Sequence, residues 1–402
     1  MHPSDRLGQP EPLAYHLGAA INAYLQAIMA APNAAAPEFP WHPDLAPYSG
    51  PAPDPLSVTA EAVHRLRLML DGIAKWQAHP YRRHLAEPPV LFQLGATRVL
   101  DYGRCPEATA PDGPAVLVVP SLINRAYVLD LMEGNSVLRL LAARGLRPLL
   151  LDWGAPGPEE RDFDIDDYVA QRLTPAAALA QGLGGQPPAL LGYCMGGTIS
   201  AGFALGGGSV RRLVTVGAPW DFAASTGSMQ AVQAAARQYG VPALRQSVRM
   251  LGQAFGLVPV AVFQQLFALL DPIQAARKFR LFAALDQDSR AAQRFATLED
   301  WLADGVPMAV PAAETLLIDW HVENTPGRGA WPPRRAAGPP PAMIVSGGLD
   351  KIAQPPVACA LAAEFPGATL HQPELGHVGM VAGSQAASRV WEPVVAFLRG
   401  NA

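Results

Sequence analysis

The sequence contains little cysteine, which limits the kinds of site that it can build. Its three cysteines, Cys105, Cys194 and Cys359, lie far apart and form no CxxC pair. Such sparse use argues against a disulfide framework and against a zinc site of the usual ligand spacing. We therefore expect a reducing, cytoplasmic setting and no bound metal.

The chain also lacks an excess of either charge, a leader segment and a membrane-spanning run. A net charge of -4 over 402 residues gives no electrostatic reason to expect nucleic acid or an anionic membrane as a partner. The first five residues lack the basic start and apolar stretch of a signal peptide. The longest early apolar stretch, residues 17–31, contains Asn22 and Gln26 and is too short to cross a bilayer. We expect no transmembrane segment and no nucleic-acid partner.

The first 89 residues differ in pattern from the rest of the chain. Apolar residues recur at helical intervals over residues 12–30, and a second helix is predicted to run from a Ser57 or Thr59 cap to about His79. A connector rich in proline and alanine, residues 32–55, separates the two. We predict a helical N-terminal extension over residues 1–89, packed against the main domain or against a partner.

From about residue 90, short runs rich in Val, Leu and Ile alternate with helical segments. Runs that are apolar throughout indicate strands buried on both faces, which is typical of a parallel sheet covered by helices. The predicted strands are residues 97–102, 115–119, 147–152, 189–192, 212–216, 342–346 and 368–371. The predicted helices between them are residues 129–144, residues 166–182 and one that begins at Met195. This α/β core is expected to comprise residues 90–222 and 336–402.

The two parts of the predicted core are separated by residues 223–335. Apolar side chains recur there at helical spacing from Met229 to Leu285, and a proline-rich loop ends the segment. A mainly helical insertion of this size between two core strands is predicted to be a cap over the strand ends, where it would shape substrate access and exclude water. A purely structural helical subdomain is the alternative.

The run Gly192-Tyr193-Cys194-Met195-Gly196 fits the G-x-nucleophile-x-G turn of α/β hydrolases, with cysteine in place of serine. A strained turn needs residues without interfering side chains two positions before and after the nucleophile. The helix that follows directs its N-terminal N–H groups and positive dipole end at the site, which favours a thiolate. Because an apolar strand precedes the turn and a small-residue helix follows it, we predict an α/β-hydrolase fold with Cys194 as nucleophile. A buried structural cysteine is the alternative, and it is the favoured interpretation for Cys105 and Cys359.

In this fold the acid and the histidine follow the nucleophile in chain order, each in a loop after a late strand. Asp350 follows the strand at 342–346, and His377 follows the last strand. His377 would act as general base, and Asp350 would fix its tautomer and stabilise the imidazolium. His371 is a nearby competitor, but it falls within the last predicted strand.

An oxyanion hole needs two backbone donors. The N–H of Met195 is expected to supply one, because it follows the nucleophile directly. The N–H of Leu122 is expected to supply the other, from the loop after the strand at 115–119. Ser121 and Asn124 either belong to this site or only shape its turn.

Several motifs resemble those of the polyhydroxyalkanoate (PHA) synthase family, in the same order and at similar spacing. They are residues 119–131 (VPSLINRAYVLDL), 151–154 (LDWG), 164–168 (DIDDY), 191–197 (LGYCMGG), 298–304 (LEDWLAD) with the later Asn324, and 376–379 (GHVG). The resemblance covers roughly residues 90–400. In length the chain is nearer to the short catalytic subunits of the family than to its large single-subunit synthases.

The resemblance implies transfer of the acyl group of a 3-hydroxyacyl-coenzyme A (CoA) to Cys194, followed by ester formation with a growing polyester. It implies no cofactor, because the CoA thioester is itself the substrate. A homodimer, a second synthase subunit and the surface of a polyester granule remain open as partners, so the expected location is the cytoplasm or a granule. Asp152, Trp301, Asp304 and Asn324 are interpreted as structural or cap residues.

Two rival functions remain open at this point. One is a PHA depolymerase or an acyl-CoA thioesterase with the same Cys-His-Asp triad, in which water attacks the acyl-enzyme. The other is a noncatalytic granule-associated or scaffold protein, which would have no need for Cys194, Asp350 and His377 together.

Overall fold

The computed structural model describes residues 13–33 and 53–400, whose contacts group into two compact units. The first unit contains the described residues up to Arg82 together with Phe267–Ala303. The second contains Arg83–Leu266 and the chain from Asp304 onward. The predicted cap is thus divided between the units, and the predicted domain boundaries stay a prediction. Most of the predicted connector at 32–55 lies outside the described residues.

The larger unit is built on strands whose bounds follow the apolar runs of the sequence. In chain order they are β1 (Val90–Leu94), β2 (Thr97–Asp101), β3 (Ala115–Val119), β4 (Asp130–Met132), β5 (Asn135–Ser136), β6 (Arg147–Asp152), β7 (Ala189–Tyr193), β8 (Arg212–Val216), β9 (Ala342–Val345) and β10 (Thr369–His371). All except β4 and β5, which pair with each other, form one eight-stranded sheet.

The order of the sheet is β1-β2-β6-β3-β7-β8-β9-β10, with antiparallel pairs only where β2 meets β1 and β6. The central strand β7 pairs in register with β8, so that Tyr193 lies opposite Val216. Every residue of β3 and β7 is buried, because helices cover both faces of the sheet. The predicted α/β-hydrolase fold with a mostly parallel sheet is therefore confirmed.

The α-helices, in chain order, are α1 (Leu13–Ala30), α2 (Pro55–Ala78), α3 (Val137–Ala143), α4 (Ile165–Tyr168), α5 (Thr174–Gly184), α6 (Met195–Leu205), α7 (Ala231–Tyr239), α8 (Val241–Phe255), α9 (Val260–Ala268), α10 (Gln274–Ala283), α11 (Arg290–Ala303), α12 (Val310–Glu314), α13 (Pro355–Cys359), α14 (Gly379–Ala382) and α15 (Glu392–Arg399). Within the described residues, none of these helices is both long and apolar enough to cross a membrane.

The smaller unit, the helical unit, consists of α1, α2, α10 and α11. Its core contains Met69, Trp76, Phe279 and Phe282. α2 and α10 approach closely at Gly72, where an added Cβ would lie 2.0 Å from the backbone oxygen of Phe279. The helices hold together because apolar side chains leave water and two backbones can touch at a residue that has no side chain.

Two local predictions were wrong, and one strand was missed. α2 begins at Pro55 and is capped by Asp54, whose carboxylate accepts from Ser57 N, because an acceptor at the cap satisfies a free helical N–H. The predicted helix at 129–144 is reduced to α3, since the buried Asp130 binds Arg139 and Gly134 turns the chain with φ +65° between β4 and β5. β1 was not predicted at all.

Candidate active site

Cys194 occupies the junction between β7 and α6 with an unusual backbone conformation, φ 55° and ψ −130°. Its N–H donates to the carbonyl oxygen of Val216 at 2.9 Å, and its own carbonyl accepts from Gly197 N at 2.8 Å. A positive φ outside glycine costs about 1–3 kcal/mol and persists only where the surroundings hold it in place. The sheet on one side and the first turn of α6 on the other supply that restraint.

Two glycines make room for this turn, and a third makes room for His377. An added Cβ on Gly196 would lie 2.3 Å from the carbonyl oxygens of Val119 and Pro120, and one on Gly192 would lie 2.4 Å from the Cα of Gly197. The steric requirement predicted for these two positions is confirmed. Gly217 was not singled out from the sequence, although it follows directly after an apolar strand. It has φ +59°, and a Cβ there would lie 3.0 Å from two ring atoms of His377.

His377 and Asp350 are held together in a buried pair. Nδ1 of His377 lies 2.7 Å from Oδ2 of Asp350. The other carboxylate oxygen, Oδ1, accepts from the backbone N–H groups of Ile352 at 2.8 Å and Ala353 at 3.0 Å. These donors fix the carboxylate, and with Asp350 ionised the Nδ1 of His377 is the donor, which leaves Nε2 for the nucleophile.

The pKa of His377 reflects its position between two acidic groups. Burial by itself lowers the pKa of the imidazole, but the charges of Asp350 and Cys194, with hydrogen bonds to both, raise it well above its ordinary value. The arrangement therefore favours the protonated imidazolium form of His377. Cys194, Asp350 and His377, all chosen from the sequence, lie together in the structure.

The two predicted oxyanion donors are placed at the start of α6 and in the loop after β3. Met195 and Leu122 are both buried. In the part of the chain that the structure describes, the N–H of neither residue has a hydrogen-bond partner. A buried N–H without a partner is uncommon in folded proteins, so these two groups are available to an incoming oxygen atom.

The alternatives named near the site have other contacts. Oγ of Ser121 accepts from Ile123 N at 3.2 Å, so this side chain shapes the loop after β3. Asn124 forms an isolated antiparallel bridge with Gly305. Nε2 of His371 lies 2.6 Å from the carbonyl oxygen of Arg389. None of the three replaces a member of the group around Cys194.

The residues interpreted as structural have structural contacts. Asp152 pairs with Arg98 at 2.8 Å, and Trp301 is buried at the end of α11. Asn324, at φ 52°, accepts from Phe222 N at 2.9 Å and donates to the carboxylate of Asp221 at 2.8 Å. Across residues 13–33 and 53–400, no group of His, Cys, Asp and Glu side chains is arranged to hold a metal ion.

A family model described as the alpha/beta hydrolase fold matches residues 114–382, which is more than half of the chain. The chain belongs to this family. Its matched region contains Cys194, Asp350 and His377 and both predicted oxyanion donors. The match begins just before β3 and ends with α14, so it includes every strand from β3 to β10.

Curated relatives extend this comparison. The chain is 33% identical over 239 residues to the poly(3-hydroxyalkanoate) polymerase subunit PhaC of Haloferax mediterranei, which covers 58% of this chain and 46% of that protein. It is 29% identical over 230 residues to the subunit of the same name from Synechocystis sp., covering 56% of this chain and 60% of that protein. The chain thus spans about half the length of the relatives that it matches. The resemblance to PHA synthases that the motifs predicted is confirmed.

The monoacylglycerol lipase of Paleococcus ferrophilus aligns with 76% of this chain and 99% of its own, at 15% identity and a TM-score of 0.47.

Proposed function

We propose that this protein is a PHA synthase-like acyltransferase, which polymerises 3-hydroxyacyl groups from CoA thioesters through an acyl-enzyme on Cys194. The observation that carries the proposal is one imidazole shared by two acidic groups: His377 bonds Asp350 at 2.7 Å, and the Cys194 thiol also raises its pKa. The PhaC relatives supply the substrate class, since their names specify poly(3-hydroxyalkanoate) polymerisation.

In the acylation step the Cys194 thiolate attacks the thioester carbonyl. A bond forms between Sγ and the carbonyl carbon, and the oxygen takes the negative charge near the free N–H groups of Met195 and Leu122. Collapse of this intermediate breaks the bond to the CoA sulfur, and His377 donates its proton to that leaving group. Exchange of one thioester for another is close to isoenergetic, so a cysteine nucleophile suits this substrate.

In the elongation step the acyl-enzyme reacts with a hydroxyl group. The acylated Cys194 carries no charge, so one of the groups that raise the pKa of His377 is lost while burial still lowers it. The imidazole, which gave its proton to CoA, therefore stays neutral and can accept the proton of the 3-hydroxyl group of the incoming chain or monomer. The hydroxyl oxygen forms an ester with the acyl carbon, its proton passes to His377, and Sγ leaves as the thiolate. Asp350 stabilises the imidazolium in both steps.

We further propose that the bound molecules are a 3-hydroxyacyl-CoA and the growing polyester, with no cofactor. An insoluble polyester attached to Cys194 would place the protein at a granule surface within the cytoplasm. A homodimer and a complex with a second synthase subunit are both compatible with this proposal. Light scattering of the purified protein, with and without substrate, distinguishes a monomer from a homodimer.

The deciding assay incubates the protein with 3-hydroxybutyryl-CoA and follows CoA release together with the form of the product. We expect CoA release coupled to insoluble polyester. Release of CoA with only free 3-hydroxybutyrate contradicts the proposal and favours a thioesterase. If native polyester granules release acid and the CoA thioester does not react, a depolymerase is indicated instead. No reaction with either substrate would fit both a missing second subunit and the noncatalytic alternative.

A further inference from the structure

The loop that carries Leu122 is bonded to a segment far along the chain, residues 304–308. Val306 N donates to the carbonyl oxygen of Ile123 at 3.0 Å, and Gly305 forms an antiparallel bridge with Asn124. An ion pair of 3.1 Å between Arg125 and Asp304 adds a partly exposed contact. The contact with Val306 holds the backbone one residue beyond Leu122.

The opposite edge of residues 304–308 is also held. Met308 exchanges two backbone hydrogen bonds with Val258, at 2.8 and 3.0 Å. Gly305 lets the segment lie close to α9, since a Cβ there would be 2.3 Å from the Cγ2 of Val260. The segment is therefore hydrogen-bonded along both edges, like a short strand. Because it is fixed in this way, it can hold the loop that carries Leu122 in place.

The residue that follows Val306 favours the extended conformation that this contact needs. Pro307 follows it, and a residue before proline is restricted to extended conformations because the proline ring disfavours the helical region. An extended Val306 presents its N–H sideways, as in a sheet, toward Ile123. Val306 is itself buried, which keeps water from competing for the bond.

Two more peptide groups, one on each side of Leu122, are bonded as well. The indole Nε1 of Trp153 donates to the carbonyl oxygen of Pro120 at 2.9 Å. The Ser121 hydroxyl accepts from Ile123 N at 3.2 Å. The peptide groups before and after the one that carries the Leu122 N–H thus have hydrogen-bond partners. That N–H itself has no partner among the described residues.

We propose that Val306, through its backbone N–H, and Trp153, through its indole N–H, are positioning residues that aim the Leu122 N–H at the developing oxyanion. This inference rests on the proposed function, because it concerns the acyl-transfer step at Cys194. An oxyanion donor must be placed to within about 0.5 Å to be effective. Loss of one such donor lowers kcat by about 100–1,000-fold.

The test compares Val306→Pro, which removes the N–H, with Val306→Ala, which keeps it. For 3-hydroxybutyryl-CoA turnover we expect Val306→Pro to lower kcat by about 10-fold or more, with KM changed by less than about threefold, since the donor acts in the transition state. Val306→Ala should retain most of the wild-type kcat. Equal kcat values for the two variants would overturn the inference.

A second reaction separates a lost oxyanion donor from general damage. Iodoacetamide alkylates a thiolate at a saturated carbon, so no oxyanion forms, and the rate at the Cys194 peptide can be followed by mass spectrometry. We expect that rate to be unchanged in Val306→Pro. If alkylation slows in parallel with turnover, the segment supports the fold only and the inference is wrong.

Trp153→Phe provides a variant that keeps the aromatic ring but lacks the N–H, in case Val306→Pro does not fold. The ring contact with Tyr168, with centroids 5.6 Å apart, is retained. We expect the same loss of kcat with unchanged alkylation, and a wild-type kcat would count against the inference. Turnover of an activated ester, p-nitrophenyl butyrate, is measured alongside. Wild-type protein that cleaves this ester but not the CoA thioester refutes the proposed function while the Val306 comparison still stands.

Discussion

Gly196, in the turn beside Cys194, and Gly72, in the helical unit, both allow two backbones to touch, but their surroundings differ. Around Gly196 the chain is held by backbone hydrogen bonds, one of them to Val216, and Cys194 has a strained φ. Around Gly72 the contact joins α2 to α10 and is surrounded by apolar side chains such as Trp76 and Phe279. The glycines of the first region stand together in one sequence motif, whereas the contact in the second region joins residues about 200 positions apart.

This difference explains where chemistry is placed. Backbone restraint holds atoms to within fractions of an ångström, as a nucleophile requires. Side-chain packing tolerates substitutions that conserve volume, so it suits a unit that supplies shape. We therefore expect substitutions in the turn to change activity, with or without a loss of stability, and substitutions in the helical unit to change stability alone.

The largest effect is expected from Cys194→Ala. Without the thiol no acyl-enzyme forms, so CoA release should fall by at least about 1,000-fold while the thermal midpoint changes little. Cys359→Ala is the matched control, since Cys359 lies at the end of α13 and contacts Gln372. CoA release measured by chromatography decides the point. Equal loss in both variants, or residual activity in Cys194→Ala, would remove Cys194 from the mechanism.

Asp350→Asn should have the next largest effect on activity, and it should also change how the free energy of unfolding depends on pH. We expect kcat to fall by about 100–10,000-fold, because the imidazolium loses its buried counter-ion. The pKa of His377 is raised in the folded protein despite burial, chiefly by Asp350, so its contribution to stability is complete below about pH 6.5 and is lost as the pH rises through the folded pKa.

The free energy of unfolding, obtained by urea titration at pH 6 and pH 9, tests this linkage. Wild-type protein should lose stability between the two values through this group, and Asp350→Asn should lose less. The amide can still accept from Ile352 and Ala353, so the variant is expected to fold. An identical pH dependence in both proteins would show that Asp350 does not set the charge of His377.

Gly196→Ala tests the backbone restraint itself. The added methyl group would lie 2.3 Å from two carbonyl oxygens, and a backbone clash of this size should cost about 3 kcal/mol or more of unfolding free energy. Gly182→Ala, in α5 with no atom within 4 Å of the added Cβ, is the control and should gain about 0.5–1 kcal/mol. Chemical denaturation measures both stabilities. Equal values for the two variants would mean that the turn relaxes to accommodate the methyl group.

The same contrast separates what the sequence could predict from what it could not. The apolar runs predicted β3, β6 and β8 with their observed bounds, and the glycines at 192 and 196 predicted the turn. The segment at 129–136 was misassigned as helix, because the attraction of Asp130 for Arg83 and Arg139 has no local signature. The bond from Val306 to Ile123 joins residues 183 positions apart and follows only from the fold.

The smallest effect on chemistry is expected in the helical unit, where Gly72→Ala is compared with Gly18→Ala. The first places a Cβ 2.0 Å from the carbonyl oxygen of Phe279 and must push α2 away from α10, which should cost about 1–3 kcal/mol. The second has no atom within 4 Å and lies inside α1, so replacing a flexible glycine should gain about 0.5–1 kcal/mol. Calorimetry measures both changes, while the alkylation rate of Cys194 should stay at the wild-type value in each. A slower alkylation in Gly72→Ala would break the distinction between the regions, because it would mean that packing in the helical unit also restrains the turn that carries the nucleophile.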